Sequence, residues 1–127
     1  MKAKLTGTSA ILIVKDVITS AEYYRDILGF SIIELQTKTG GFAMVKRDEY
    51  ILMFAEAPPD KITPNWKIVD KTSNVYFWVN DAEALYKEFI DNGADIDYSL
   101  YNTPYGMKEF GISDPDEYDI SFGEILK

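Results

Sequence analysis

Histidine and cysteine are both absent from the 127 residues of the chain. Without cysteine, disulfide bonds, thiolate metal sites and a cysteine nucleophile are excluded, and an intracellular setting is favoured. Without histidine, there is no imidazole base, no Ser-His-Asp triad and no histidine ligand for a metal. The two absences together remove most of the common catalytic and metal-binding arrangements.

Long hydrophobic runs and positive charge are also scarce. The only apolar run before Lys15 is too short for a signal-peptide core or a membrane span, so we expect a cytoplasmic protein. There are 13 basic residues against 21 acidic ones, which gives a net charge of −8. This balance disfavours nucleic-acid binding, which needs a basic patch. It is compatible with a cationic ligand, and equally with a surface charge that only keeps the protein soluble.

The composition is that of a globular protein, with 46% hydrophobic and 27% charged residues. The length is sufficient for one compact domain with its own core. We therefore predict a single domain over residues 1–127.

A strand–turn–strand pattern occurs twice in the chain. Residues 110–124 alternate between large apolar and smaller or polar side chains on either side of the turn Asp114-Pro115-Asp116-Glu117. Alternation of period two is typical of a half-buried strand, and proline and aspartate favour the turn. An earlier copy, in which Phe42 matches Phe110, runs to Glu56. The pattern indicates one module used twice.

Each copy of the hairpin follows a strand, a helix and a second strand. In the first half, a strand over residues 9–14 precedes a helix from Thr19 or Ser20, because Thr19 and Glu22 form a capping-box pattern. Gly29 is the expected end of this helix. The remaining strands of the first half are predicted at residues 30–36, 42–46 and 51–56.

The second half repeats this order. Asn80 or Asp81 is expected to cap its helix, and Asn92-Gly93 is expected to end it. The segment that connects the halves contains three prolines, so we expect no regular element there. The strands of the second half are predicted at residues 74–79 and 95–100 and in the hairpin over 110–124.

The predicted fold class is α+β, built from two repeated β-α-β-β-β modules. The first module covers residues 7–56, the connecting loop 57–71 and the second module 72–125. Because neither module buries its sheet alone, we expect the strands to curve into a half-barrel with the helices on the convex face and a cleft on the concave face. Strand parity assigns one set of side chains to the cleft: Ser9, Ile11, Ile13, Ile51, Met53, Ala55, Asn74, Tyr76, Trp78, Asp119, Ser121 and Gly123.

These features resemble the vicinal oxygen chelate superfamily, which includes glyoxalase I, extradiol dioxygenases and bleomycin resistance proteins. The resemblance rests on the repeated strand that ends in aspartate, on Leu28-Gly29-Phe30, on Asp114-Pro115-Asp116 and on Phe122-Gly123-Glu124. It covers about residues 7–125. Where the family usually has glycine after the Asp-Pro-Asp turn, this chain has Glu117.

The resemblance also implies where a metal would bind in the metalloenzymes of the superfamily. The matching positions are Ser9, Met53, Asn74 and Ser121, and none of them is a carboxylate or an imidazole. Two hydroxyls, an amide and a thioether do not offset the dehydration of a divalent ion. Asp119 offers at most weak magnesium or calcium binding. We therefore expect no metal and no cofactor.

By resemblance, the first functional hypothesis is a non-catalytic binding protein like the bleomycin resistance proteins, which sequester a cationic aromatic antibiotic in an aromatic-lined cleft. Aromatic side chains stack on planar ligands and attract cations, although they also fill half-barrels without binding anything. The resemblance further implies a homodimer. The candidate ligand-binding aromatic residues are Tyr76, Trp78, Trp66, Tyr105 and Phe110.

Two alternatives remain open. One is a glyoxalase-like lyase or dioxygenase-type enzyme, or a metal-free enzyme that uses Glu109, Asp119 or Tyr105 as acid or base. The other is an interaction module whose cleft is vestigial, because hydrophobic and aromatic side chains plug it. The plug would consist of Ile11, Ile13, Met53, Tyr76 and Trp78.

Overall fold

The computed structural model describes all 127 residues and shows the two β-α-β-β-β modules that the repeat predicts. The first module consists of β1 (Ser9–Val14), α1 (Val17–Asp26), β2 (Ser31–Gln36), β3 (Phe42–Arg47) and β4 (Tyr50–Glu56). The second consists of β5 (Val75–Trp78), α2 (Ala82–Asp91), β6 (Ile96–Asn102), β7 (Met107–Ser113) and β8 (Asp119–Ile125).

Each module forms its own four-stranded mixed sheet, in the order β1-β4-β3-β2 and β5-β8-β7-β6. The first strand of each module lies parallel to the last, and the other neighbours are antiparallel. The sheets do not close into a barrel, and each helix packs on the sheet of its own module. The predicted α+β fold class is confirmed.

Both helices begin at an aspartate. The Asp16 carboxylate accepts hydrogen bonds from two backbone N–H groups of the first turn of α1, and the Asp81 carboxylate accepts one from Ala84 at 3.0 Å. The predicted cap of α2 is therefore confirmed. The predicted start of α1 at Thr19 or Ser20 is wrong, because Asp16 supplies the cap before the Thr19 capping box is reached.

A glutamate at the end of each module's last strand also binds the helix start. Glu56 Oε1 accepts the Val17 N–H at 3.0 Å, and Glu124 Oε1 accepts the Ala82 N–H at 2.9 Å. Free N–H groups and the helix dipole both favour an anion at this end of a helix. The same contact therefore fastens the last strand to the helix in both modules.

Residues with positive φ occur at equivalent turns of the two modules. Gly29 and Gly93 end the two helices at φ +75° and +86°, as predicted. In the hairpin turns, Asp48 and Glu117 occupy the left-handed region at φ 54° and 66°. The chain thus keeps a turn conformation suited to glycine while using glutamate at residue 117, at a strain of about 1–2 kcal/mol.

The connecting segment holds two short 3₁₀ turns, Pro59–Lys61 and Asn65–Lys67, although the sequence predicts no regular element there. Each is a single turn that begins at or just after a proline, which tolerates the first position of a helix because it needs no N–H donor there. Nowhere in the chain is a helix both long and apolar enough to cross a membrane.

Strand parity is as the sequence predicts. On β1, Leu12 and Val14 are 4% and 0% exposed, whereas Ile11 and Ile13 are 60% and 39% exposed. In the second module, Trp78 is 71% exposed and lies next to Gly123 in the ladder of β5 and β8. Each sheet therefore has a core face and an outer face.

The two modules share one core of 17 buried residues drawn from both. Several hydrogen bonds from the turn between β7 and β8 also join the two modules. The buried Tyr24 hydroxyl donates to Asp114 Oδ2 at 2.8 Å, and Asp116 Oδ1 accepts the Lys15 N–H at 3.0 Å. Tyr118 donates its hydroxyl hydrogen to the carbonyl of Ile13 on β1.

Asp114 is the central group of this junction. Its Oδ1 accepts the backbone N–H groups of Asp116 and Tyr118 at 2.9 and 3.0 Å, while Oδ2 accepts the hydroxyl of Tyr24. Burial raises the pKa of Asp114 to about 6, although these hydrogen bonds oppose the shift. The carboxylate is therefore ionised at pH 8 and depends on all three donors.

We expect Tyr24→Phe to lower the free energy of unfolding by about 1–3 kcal/mol at pH 8, because it leaves a buried carboxylate oxygen unpaired. The loss should shrink below pH 5, where Asp114 is protonated. Denaturant unfolding at the two pH values measures the difference. Tyr50→Phe is the matched control, since Tyr50 is 64% exposed. Equal losses in the two variants would contradict the role of this contact.

Candidate functional site

A groove of about 430 Å³ lies between the starts of β1 and β5, at the boundary of the two modules. Four predicted site residues line it: Ser9, Asn74, Tyr76 and Trp78. A second groove, of about 360 Å³, shares Trp78 and is lined mainly by residues of the second module. Both volumes are within the range of small-molecule pockets.

Two polar side chains of the first groove, Ser9 and Asn74, are already hydrogen-bonded to the backbone. Ser9 Oγ donates to the Ile51 carbonyl at 2.9 Å, and Asn74 Oδ1 accepts the Asn65 N–H at 2.8 Å. Asn74 thus holds one of the 3₁₀ turns of the connecting segment. What the groove presents to a ligand is mainly the apolar and aromatic surface of Tyr76 and Trp78.

A buried carboxylate lies beside this groove on the outer face of the second sheet. Glu109 is 4% exposed and accepts hydrogen bonds from three tyrosine hydroxyls. Tyr76 donates at 2.7 Å, Tyr98 at 2.8 Å and Tyr105 at 2.8 Å. Because a buried charge needs strong hydrogen-bond donors, the three tyrosines compensate for the lost hydration of Glu109. The cluster fixes the positions of three aromatic rings.

Two glycines make room for these rings. A Cβ on Gly123 would lie 1.9 Å from the Tyr76 hydroxyl oxygen, and a Cβ on Gly111 would lie 2.3 Å from the Tyr98 ring. Glycine within a strand often marks such a close approach. Gly111 was the sequence signal that another side chain approaches β7 at this point, although the sequence alone did not identify that side chain as Tyr98.

The three tyrosines remain hydroxyl donors at neutral pH. Burial and the Glu109 carboxylate raise the pKa of Tyr105 to about 12 and raise the pKa values of Tyr76 and Tyr98 further. A tyrosine with such a pKa does not act as a base near pH 7. The cluster is therefore a positioned aromatic surface with a fixed anion beneath it.

Asp119 is the unusual group of this face. It is 6% exposed, and its Oδ1 has no hydrogen-bond partner. Burial raises its pKa to about 7, and the neighbouring Asp97 carboxyl adds to the shift, as does Glu109. Asp119 thus retains its proton until near-neutral pH, beside the Asp97 carboxyl.

The remaining predicted site residues lie apart from the groove. Trp66 donates its indole N–H to the Glu117 carbonyl at 2.7 Å, which fastens the connecting segment to the β7–β8 turn. Phe110 is fully buried and stacks on Phe122 at 5.2 Å. Its predicted place in the cleft is wrong, because it lies opposite Phe122 in the ladder and shares its core-facing side.

The side chains at the positions that hold a metal in related metalloenzymes are not suited to bind a metal in this chain. Ser9 and Met53 lie on the first sheet, while Asn74 and Ser121 belong to the second module. The oxygens of Ser9 and Asn74 are hydrogen-bonded to backbone groups, and Ser121 Oγ lies within hydrogen-bond distance of the Tyr98 hydroxyl oxygen, at 2.8 Å. No three side chains of the types His, Cys, Asp and Glu are grouped as a metal site. A divalent ion would lack adequate ligands at these positions.

The family is shown by a sequence comparison. The family model described as "Glyoxalase/Bleomycin resistance protein/Dioxygenase superfamily" matches residues 7–122. The chain therefore belongs to this superfamily. No curated protein matches the sequence.

Several solved structures share the fold. The antibiotic binding protein TnmS3 from Streptomyces sp. CB03234 is 19% identical, with a TM-score of 0.75 and coverage of 98% of this chain and 99% of that chain. The bleomycin-binding protein from Streptomyces verticillus, solved with copper(II)-bleomycin, is 22% identical, with a TM-score of 0.71 and 99% coverage of both chains.

A glyoxalase-related enzyme from Clostridium phytofermentans is 17% identical, with a TM-score of 0.77 and 98% coverage of both chains. At such identities the likeness concerns the fold alone. Binding proteins and an enzyme-related protein are both among the similar structures, so the choice of function depends on the residues of this chain.

We expect Asp119→Asn to stabilise the protein at pH 8. Since the folded-state pKa of about 7 exceeds the usual unfolded value of about 3.9, the contribution of Asp119 to stability is complete below pH 4 and is lost as pH rises through 7. The free energy of unfolding of the variant should exceed that of the parent by about 1–3 kcal/mol at pH 8. At pH 4 the two values should be equal.

Denaturant unfolding at both pH values checks this expectation. Glu83→Gln is the control, because it removes one exposed negative charge of the second module without touching the pair. A loss of stability in Asp119→Asn at both pH values would show that the ionised carboxylate is better accommodated than the burial of Asp119 indicates.

Proposed function

We propose that this chain is a metal-independent small-molecule-binding protein, whose ligand lies against the exposed aromatic rings at the edge of the second sheet. The observation that supports this most strongly is Trp78. It is 71% exposed, borders both grooves and lies 5.4 Å from the Tyr76 ring. An exposed tryptophan beside a second ring and a groove of small-molecule size is suited to stacking on a planar ligand.

The charge around these rings supports a cationic ligand. Glu109 and Asp119 are buried on the same face, and none of the three ion pairs of the structure includes either of them. The net charge of −8 points in the same direction, because it favours the approach of cations. A cationic aromatic antibiotic of the kind that bleomycin resistance proteins sequester has both properties.

The vestigial-cleft alternative receives less support. Its proposed plug includes Ile11 and Ile13, but these side chains are 60% and 39% exposed on the outer face of the first sheet. Grooves of about 430 and 360 Å³ remain open beside Tyr76 and Trp78. The aromatic residues therefore border open space and do not fill it.

A metal-free enzyme is the second candidate, because one observation favours it. The pKa of Asp119, raised to about 7 by burial and Asp97, suits a general acid or base near neutral pH. Turnover of a methylglyoxal–thiol adduct that Asp119→Asn abolishes would support this candidate over simple binding. The three tyrosines, whose pKa values are raised above 10, offer no second group of this kind.

We also propose that the protein is a cytoplasmic homodimer. The outer face of the first sheet exposes large aliphatic side chains on β1, and exposed apolar side chains of this kind often contribute to an interface. Sedimentation equilibrium should give about twice the 14.5 kDa mass of one chain, and a monomer mass would refute the dimer. The exposed side chains are Ile11 and Ile13.

The binding proposal is tested by a tryptophan-fluorescence titration with bleomycin and a panel of planar aromatic cations. Trp66 and Trp78 are the only two tryptophans, so each serves as the control for the other. We expect saturable quenching in the parent and in Trp66→Phe. In Trp78→Phe we expect the quenching to disappear and the calorimetric affinity to fall, because the phenylalanine ring offers a smaller stacking face than the indole.

A flat response of the parent to the whole panel would contradict the proposed class of ligand. Quenching that survives in Trp78→Phe and is lost in Trp66→Phe would place the ligand at the connecting segment instead of the second sheet.

A further inference from the structure

The repeat gives strand residues of one module a counterpart in the other. Ile13 is opposite Ala55 in the ladder of β1 and β4, and Trp78 is opposite Gly123 in the ladder of β5 and β8. Ala55 and Gly123 each precede the glutamate that binds the helix start of its module. Ile13 and Trp78 therefore occupy equivalent places on the first strands of the two modules.

The tyrosines five residues before Ala55 and Gly123 are counterparts that differ in position. Tyr118 is 4% exposed, and its hydroxyl donates across the module boundary to the carbonyl of Ile13. Tyr50 is 64% exposed, and its hydroxyl makes no hydrogen bond. A tyrosine ring thus closes one junction of the modules, and the equivalent junction lacks this ring.

The groove of about 360 Å³ lies at the junction that lacks the ring. Its walls include the half-buried side chains of Phe77, Val79 and Leu85, and the exposed Tyr50 and Trp78 stand at its rim. The groove is mainly apolar and large enough for a substituted aromatic ring. The departure from the repeat therefore leaves an open place of the kind that an aromatic side chain fills.

The carbonyl of Trp78 is the unpaired polar group at this groove. The N–H of Val79 donates to the carbonyl of Gly123 on β8 at 2.8 Å. Because the C=O and N–H of one trans peptide point in opposite directions, the Trp78 carbonyl points away from β8. β5 is an edge strand with no partner on that side, and no side chain donates to this carbonyl. It lacks the hydroxyl donor that the Ile13 carbonyl receives from Tyr118.

We propose that this groove binds a phenolic ring of a small molecule, whose hydroxyl donates a hydrogen bond to the carbonyl of Trp78. The ring packs against Phe77, Val79 and Leu85, as apolar walls and neighbouring aromatic rings favour. The ligand takes the place that Tyr118 has in the equivalent junction. A phenol remains a neutral donor near pH 7, because its pKa is about 10.

This site goes beyond the proposed function, because it needs no cation and lies on the other side of β5. Phe77 and Val79 alternate with Tyr76 along the strand, so their side chains face the core side, whereas Tyr76 faces the outer side. One ligand on the outer face and another in the groove would both border Trp78.

Two probes separate the hydroxyl from the ring. p-Cresol and 4-methylanisole have the same ring and methyl group, but only p-cresol has a hydroxyl that donates. Titrations followed by ¹H–¹⁵N correlation spectra should give saturable shifts at Leu85 and at Val79, whose N–H belongs to the same peptide as the Trp78 carbonyl. We expect p-cresol to bind at least about fivefold more tightly, as one hydrogen bond predicts.

A variant that fills the groove tests the place of binding. Leu85→Trp puts a larger side chain into the groove and should abolish saturable p-cresol binding. Ile18→Trp is the matched control, because it adds a tryptophan at a position of α1 that is 43% exposed and outside the groove, and it should retain the affinity. Where Leu85→Trp does not fold, the comparison of the two probes in the parent decides.

Equal affinity for the two probes, shifts confined to other parts of the protein, or no saturable shift overturns the proposal. A p-cresol affinity about tenfold higher in Tyr50→Ala than in the parent also overturns it, because Tyr50 itself would then fill the groove most of the time. Each of these results leaves the proposed function intact, since the fluorescence titration with aromatic cations tests the outer face independently.

Discussion

The buried carboxylate of Asp114 is the constraint on which the arrangement of this protein depends. It accepts two backbone N–H groups of its own turn and the hydroxyl of Tyr24 from the other module, at 2.8–3.0 Å. Burial alone would disfavour its charge, so the carboxylate is tolerated only where all three donors are in place. Because the turn joins β7 to β8, this contact fixes both the module junction and the strand that carries Asp119.

The candidate site depends on two strand glycines as well as on its aromatic and acidic side chains. Gly111 and Gly123 leave space in which the rings of Tyr98 and Tyr76 lie over the sheet, and Glu109 holds both hydroxyls. Asp119 lies on the same face, and its pKa of about 7 shows that the ionised carboxylate is unfavourable in this buried place. Groups that are unfavourable for folding are often found where a protein binds a ligand.

Much of the fold followed from the sequence because its signals are local. The repeated alternation around Asp114-Pro115-Asp116 predicted two modules, and parity separated core from outer face on β1 and β5. The predicted start of α1 was wrong because two possible caps, Asp16 and Thr19, lie within four residues and Asp16 comes first. Phe110 was assigned to the cleft by its aromatic character, although its match to Phe122 in the hairpin already placed both on the core side.

The candidate site was less accessible to sequence reasoning, because its contacts join distant residues. Glu109 is contacted by Tyr76, Tyr98 and Tyr105 only once three strands and a loop are assembled. The spacing of these residues in the sequence does not predict the contact. The same is true of the pairing of Asp97 with Asp119. Strand glycines were the available clue, since they mark where another side chain approaches the backbone.

The central claim is that the ligand binds the outer face of the second sheet. The most direct test is to record ¹H–¹⁵N correlation spectra of the protein during a titration with 9-aminoacridine. The account predicts that backbone shifts concentrate on β5, β6 and β8, around Tyr76, Tyr98 and Asp119. Shifts concentrated on the outer face of the first sheet, around Ile11 and Met53, or the absence of any saturable shift, would contradict it.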